Sequence, residues 1–349
     1  MKNIINIIVL VLVISISGFA QKTVNVPLDA FTAVAAQKGW LKEEFAKIGR
    51  DFKIVDFANV KLAGAEAALL ERGDLHFASR MSYPAYMHKL NGLDAVVIWT
   101  AQPADTTAVS VIVLKDSPYR KVTDLKGKTV GTVRYHCGYA GALEIFERSG
   151  IPLKTEINPN GSVTWWNSPG YLQLQQGLLT GKLDAVVDHL SIAVYAAPYL
   201  QGQFRVLSNL PGCSGGNVGV YHKFASRIFL FSLRSWAEKN PDAIKAYLTA
   251  REKARKYIIS HPDEAATTIA KDLRVPLQVA KFQINSPYAI SYAPGESSWS
   301  TVVNALVEFQ KQYGGLNDPL VSKKSLSKSQ IENYVDRRFY KGGPYSLYQ

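Results

Sequence analysis

Arg80 follows the apolar run Leu75–Ala78 and is flanked by Ser79 and Met81-Ser82. A guanidinium at a strand-to-helix junction can clamp nitrate, sulfonate or carboxylate through paired N–H groups. The hydroxyls of Ser79 and Ser82 can add donors at the same helix start. Equally, a serine there caps the helix and leaves the arginine in solvent. A second constellation is Tyr135-His136-Cys137-Gly138-Tyr139, after the strand-like Thr129–Val133. Gly138 is expected to open a helix whose backbone N–H groups and dipole favour an anion. Tyr135 and Tyr139 offer rings for stacking, and His136 offers a donor or is simply a turn residue. A third is Asp188-His189-Leu190-Ser191, where Asp188 either meets an amine or, more simply, caps the next helix. Asp29 and Phe31, in the turn after the first strand, complete the set of ligand-binding candidates.

Other chemistry finds no support. There is no phosphate loop, no paired Cys or His at metal-ligand spacing and no nucleophile elbow, so no catalytic residue, metal or cofactor is expected. Cys137, at a helix N-terminus beside His136, stands where a thiolate would be stabilised. No second base or orienting carboxylate accompanies it in the sequence. Cys137 and Cys213 are the only cysteines; they make no disulfide framework, and sequence separation leaves open whether they pair. Gly212-Cys213-Ser214-Gly215-Gly216 precedes a strand rather than following one, which suits a crossover between lobes.

These residues need a scaffold of short strands and helices. Strands are predicted at Thr23–Val26, Phe52–Phe57, Leu75–Ala78 and Ala95–Ala101, with helices between them at about 31–47, Gly64–Glu71 and Ser82–Leu90. The alternation resumes with strands Thr129–Val133, Thr164–Trp166 and Leu183–Val187 and helices Gly138–Ser149 and Leu172–Leu179. Such intervals imply βαβ units and a largely parallel sheet. Leu69–Ala78 and Leu178–Val186 share a phrase in which a leucine-ended helix meets a glycine turn and drops into an apolar strand. One more strand is expected at Val218–Tyr221. Helices then follow at Ser235–Ser260, started by Asn240-Pro241-Asp242, and at Pro262–Asp272, Leu277–Lys281 and Ser298–Tyr313. Ser327 begins a last one.

The chain has 349 residues, 47% hydrophobic and 19% charged, which excludes a disordered protein and allows two lobes. Lys2, the aliphatic run Ile4–Ile16 and Gly18-Phe19-Ala20 have the layout of a cleaved secretory leader over residues 1–20, and an uncleaved anchor is the alternative. No cysteine ends that run, so a periplasmic, unlipidated product is expected. The net charge of +12 is spread, without aromatic interleaving, which argues against nucleic acid and is compatible with an anionic ligand.

Several phrases resemble the periplasmic substrate-binding proteins of ABC importers, in the nitrate/sulfonate/taurine branch. They are Gly39-Trp40-Leu41-Lys42-Glu43-Glu44-Phe45; Ser117-Pro118 followed by Val122–Val130; Thr180-Gly181-Lys182-Leu183-Asp184-Ala185; and Asn240–Leu248 with His261–Ala266. Together they cover about residues 22 to 320. The resemblance implies a two-lobed α/β fold with two hinge crossovers and a ligand cleft between the lobes. Lobe one would comprise residues 21–115 and 220–349, and lobe two residues 116–219. It implies a monomer, not an enzyme, that captures a small organic anion (sulfonate, taurine, sulfate ester or nitrate) and delivers it to a membrane permease. The aromatic and His/Cys content of the Tyr135–Tyr139 turn departs from a plain sulfonate pocket, which admits an aromatic sulfonate or a heterocycle. The same fold is shared by sulfinate-cleaving enzymes with a nucleophilic cysteine and by a pyrimidine-forming enzyme of thiamin synthesis, so a Cys137-dependent enzyme is the alternative.

Overall fold

In the computed structural model, residues 23–56, 65–100, 109–207, 227–285, 298–315 and 323–347 are described. The expected leader, Cys213 with its glycine-rich surroundings, and the strand expected at 218–221 lie outside these residues.

The chain opens with β1 (Thr23–Pro27), α1 (Ala30–Gln37), α2 (Trp40–Ala46) and β2 (Asp51–Val55). Asp29 starts α1 because its carboxylate accepts from the Thr32 N–H at 2.8 Å, satisfying one of the orphan donors of a helix start. Next come α3 (Ala65–Glu71), β3 (Ala78–Met81), α4 (Ser82–Leu90), β4 (Ala95–Thr100) and β5 (Ser110–Leu114). Then follow β6 (Thr129–Thr132), α5 (Cys137–Arg148), β7 (Leu153–Lys154), β8 (Val163–Asn167), α6 (Tyr171–Leu179), β9 (Ala185–Asp188), α7 (Ala193–Leu200) and β10 (Phe204–Val206). The last strand, β11 (Ile228–Leu233), leads into α8 (Arg234–Ala237), α9 (Pro241–Ser260), α10 (Pro262–Leu273), α11 (Leu277–Asn285), α12 (Trp299–Gly315) and α13 (Lys328–Tyr334).

Local chemistry explains several boundaries. Gly73 and Gly181 both take positive φ, +75° and +72°, where α3 and α6 stop, the left-handed geometry that costs glycine nothing. The helix expected from Ser235 to Ser260 is two helices. Pro241 has no N–H to continue α8, but it fits the first position of α9. Ser327 caps α13 through a reciprocal box with Gln330.

The strands form three sheets. β1 and β2 pair in parallel; the second sheet has the order β3-β11-β4, and the third β10-β5-β9-β6-β8-β7. The pairs β6–β8, β6–β9 and β7–β8 are parallel, whereas β5–β9, β10–β5 and both contacts of β11 are antiparallel. The largely parallel sheet read from the sequence therefore becomes a mixed one. The cause is insertion: β11 arrives from far along the chain and fills the gap between β3 and β4, while β5 enters beside β9. All six residues of β4 are buried, as are the first five of β11, so both are packed on two faces and read as unbroken apolar runs.

The third sheet takes all its strands from residues 110 to 206, so β5 joins it although it lies before residue 116. The strand expected at Leu75–Ala78 begins three residues later, because the His76 N–H is bonded to the Asn25 carbonyl at 2.9 Å and residues 75–77 bridge toward β1. Ser79 and Arg80 thus lie within a strand, opposite Leu230 and Phe229, rather than in a turn after one. Among the described residues no helix is long and apolar enough to cross a membrane.

Candidate functional site

A cavity of about 310 Å³ opens where the carboxyl ends of β1, β3, β6 and β9 converge. In open α/β sheets this is where loops and helix starts leave room for a ligand. One wall is the start of α1, Asp29-Ala30-Phe31, with Ser79, Arg80 and Met81 of β3, Pro84 of α4 and Ile228 of β11. The opposite wall is His136 and Cys137 at the start of α5, Tyr171 at the start of α6, and Asp188, His189 and Ile192 after β9. Apolar side chains dominate the lining, and a few polar groups converge within it, the usual make-up of a small-molecule site.

The charges in this cavity are mostly cancelled from outside it. Arg80 is ion-paired through Nη2 to Glu66 of α3, whose side chain is 1% exposed. The second oxygen of Glu66 lies 3.7 Å from His88 Nε2. Burial works against the Glu66 charge, yet Arg80 and His88 hold its carboxyl down to about 2. On the same wall, Asp29 Oδ2 accepts from Arg251 Nη1 of α9 at 2.6 Å, and the same nitrogen reaches the Tyr247 hydroxyl at 3.0 Å. Arg251 is buried, whereas Asp29 keeps some contact with solvent.

On the opposite wall burial acts on His136 and Asp188 in opposite directions. Burial, aided by Arg80, pushes His136 down to about 3, so its ring is neutral near pH 7. One ring nitrogen, Nδ1, lies 2.7 Å from the Tyr171 hydroxyl. Asp188 behaves in the opposite way. Burial raises it to about 7 despite the bond that its Oδ1 accepts from the His189 N–H at 2.8 Å. Among the described residues its Oδ2 has no hydrogen-bond partner, and neither has the Oγ of Ser110, its neighbour across the β5–β9 ladder. Asp188 does not cap the next helix, as the simpler reading of the sequence had it: α7 starts at Ile192-Ala193, and Ile192 offers no capping side chain.

The remaining sequence candidates fall elsewhere. Gly138 sits inside the first turn of α5, and a Cβ there would stand 2.1 Å from the Val187 carbonyl oxygen. Its place is a close helix–strand contact. Tyr139 is fully buried against Trp165, with ring centroids 4.7 Å apart. Tyr135 holds a left-handed φ of 60° and packs near Arg134. Neither tyrosine lines the cavity. Tyr171 supplies an aromatic wall instead. Among the described residues no group of three or more His, Cys, Asp or Glu is placed to hold a metal ion.

Comparison with known proteins agrees with this architecture. The family model described as "NMT1/THI5 like" matches residues 29–265, a span that holds every cavity residue. The chain belongs to the NMT1/THI5-like family. This NMT1/THI5-like protein is 26% identical over 325 residues to a Haemophilus influenzae protein named for thiamine biosynthesis, covering 90% of this chain and 94% of that one. Its fold matches the alkanesulfonate-binding protein SsuA of Xanthomonas axonopodis pv. citri, bound to MOPS, with TM-score 0.70, 16% identity and 90% and 98% coverage. The periplasmic aliphatic sulphonate-binding protein SsuA of Escherichia coli matches with TM-score 0.68, 18% identity and 90% and 92% coverage. The fold is therefore the mixed α/β fold of periplasmic binding proteins.

Within it, the structure brings together Asp29, Phe31, Ser79, Arg80, His136, Cys137, Asp188 and His189, and leaves out Tyr135, Gly138 and Tyr139. Sequence reading missed Tyr171, Glu66 and Arg251. Tyr171 stands at a helix start after Gly170, which is a usable signal. Glu66 and Arg251 sit in ordinary amphipathic helices and give none.

Proposed function

We propose that this NMT1/THI5-like protein is a solute-binding protein whose cavity captures a small, ring-bearing organic molecule that presents N–H groups to Asp188. The observation that carries this reading is the buried Oδ2 of Asp188, which lacks a hydrogen-bond partner among the described residues. A carboxyl held this way costs free energy until a donor reaches it. A ligand N–H would remove that cost, whereas a sulfonate oxygen would repel the ionised form. The apolar lining and the Tyr171 ring suit a planar molecule. The relative named for thiamine biosynthesis points toward a nitrogen heterocycle, which supplies such donors.

Export through a leader at 1–20, closure of lobes 21–115 with 220–349 over lobe 116–219, action as a monomer and delivery to a membrane permease belong to the same proposal. Ligand contacts on both walls would favour the closed state. Cysteine-dependent catalysis is the weaker reading, because an imidazole pushed down to about 3 makes His136 a poor base for Cys137. The anionic reading retains two supports, Arg80 in the lining and the sulfonate ligands of the structural neighbours.

Thermal shift against aminopyrimidines, taurine, arylsulfonates, methanesulfonate and nitrate separates the two. A ligand at a hundredfold over its Kd adds about 2.7 kcal/mol of stability. A shift with aminopyrimidines that is lost in Asp188→Asn supports the N–H donor reading. A shift confined to sulfonates and unchanged in Asp188→Asn would overturn it in favour of an anion.

A further inference from the structure

Arg80 points one guanidinium nitrogen away from the cavity, into an ion pair with a carboxylate that solvent does not reach. Glu66 is no surface partner: at 1% exposure, one of its oxygens meets Arg80 and the other faces His88 of α4. Burying a carboxylate there is costly unless a cation answers it, and an aliphatic side chain would fill the same space in α3 without that cost. What the carboxylate changes is the field in the cavity. Arg80 is a quarter exposed, so its remaining N–H groups stay available to a solute while its net charge is answered at short range. A donor without net charge bonds a carbonyl or ring nitrogen but holds no monoanion strongly, since the attraction from Arg80 and the repulsion from Glu66 largely offset each other.

We propose that Glu66 is a specificity-determining residue that acts through Arg80: it positions the guanidinium and cancels its charge, so that the cavity rejects simple monoanions and accepts an uncharged solute. This rests on the reading of the cavity as the solute site. Removing Glu66 leaves a cation in the wall. Removing Arg80 adds no anion, because a buried carboxyl that has lost its cation takes up a proton.

The test is titration calorimetry on the full chain at one low ionic strength, with methanesulfonate and methylammonium as probes. Glu66→Gln is expected to gain about tenfold or more in methanesulfonate affinity over the unmodified protein. Arg80→Gln and E66Q/R80Q are expected to show no such gain, and methylammonium, the cationic control, should bind E66Q no better than the unmodified protein. A purely structural role for Glu66 would not raise affinity for the anion alone. If E66Q does not fold, Glu66→Met, uncharged and of similar length, takes its place. Folded E66Q or E66M without anion gain would overturn the role of Glu66 while leaving the cavity assignment intact. Tight methanesulfonate binding by the unmodified protein, lost in R80Q, would instead overturn the uncharged-solute reading itself.

Discussion

The backbone N–H of His189 donates to Oδ1 of Asp188 at 2.8 Å, while Oδ2 of this buried carboxyl has no hydrogen-bond partner among the described residues. An acidic group so placed titrates late, and burial raises it to about 7. Unfolded, the same carboxyl titrates near ~3.9. Between those values the folded chain keeps a proton that the unfolded chain has released. Stability therefore falls as pH rises through that window, by at most ~1.4 kcal/mol per pH unit from this group, and levels off above it. Urea midpoints at about pH 5 and pH 8 check this: Asp188→Asn should lose less stability between them than the unmodified protein does.

The same carboxyl sets the pH dependence of binding. A ligand that donates N–H to the ionised form should bind more weakly as pH falls through about 7, and the dependence should vanish in Asp188→Asn. Calorimetric titration across the window reads both.

Asp29 and Arg251 form a second, partly buried ion pair. Arg251→Ala would leave the Asp29 carboxylate facing the cavity without its 2.6 Å partner. Removing one member of a buried pair typically costs about 3–5 kcal/mol. Asp29 keeps some solvent contact, so the lower end is expected. Denaturant unfolding gives the number, and Asp29→Asn/Arg251→Met should lose less than Arg251→Ala alone.

Gly138 tests helix–strand contact rather than anion binding. An alanine methyl there would overlap the Val187 carbonyl at 2.1 Å, and backbone on both sides must move to admit it. Overpacking of this kind costs about 1–3 kcal/mol or more. Gly181→Ala, strained only through its φ of +72° with open space around it, should cost about 1 kcal/mol. Thermal midpoints of the two variants give the ranking.

His136 should stay neutral throughout the range in which histidines ordinarily charge. Burial and Arg80 push it down to about 3. Imidazole nitrogen NMR should show no protonation between about pH 5 and 8. Tyr171→Phe, which removes the hydroxyl 2.7 Å from Nδ1, should change the nitrogen shifts and cost about 1 kcal/mol of stability.

Much of the scaffold is written in local chemistry. Asp29 before α1, Pro241 at the start of α9, Ser327 before α13, and the glycines at 73 and 181 mark ends that depend on neighbours a few residues away. The rule that ligands gather beyond the carboxyl ends of parallel strands then nominated Asp29, Arg80, His136 and Asp188, and the cavity holds all four. Tyr135 and Tyr139 show where such reading stops. Sequence places them in the turn, but which face of α5 meets Trp165 is a packing outcome.

The sequence by itself determined the alternation of elements, many of their caps and turns, and most of the segments that meet at the cavity, because those follow from backbone rules acting over a few residues. Only the tertiary structure decided the charge of the site. Glu66 answers Arg80 from 14 positions away and Arg251 answers Asp29 from 222 positions away, while among the described residues no cation pairs with Asp188 and its Oδ2 has no partner. Ion pairing and desolvation depend on distance through space and on the exclusion of water, and neither is a property of spacing along the chain.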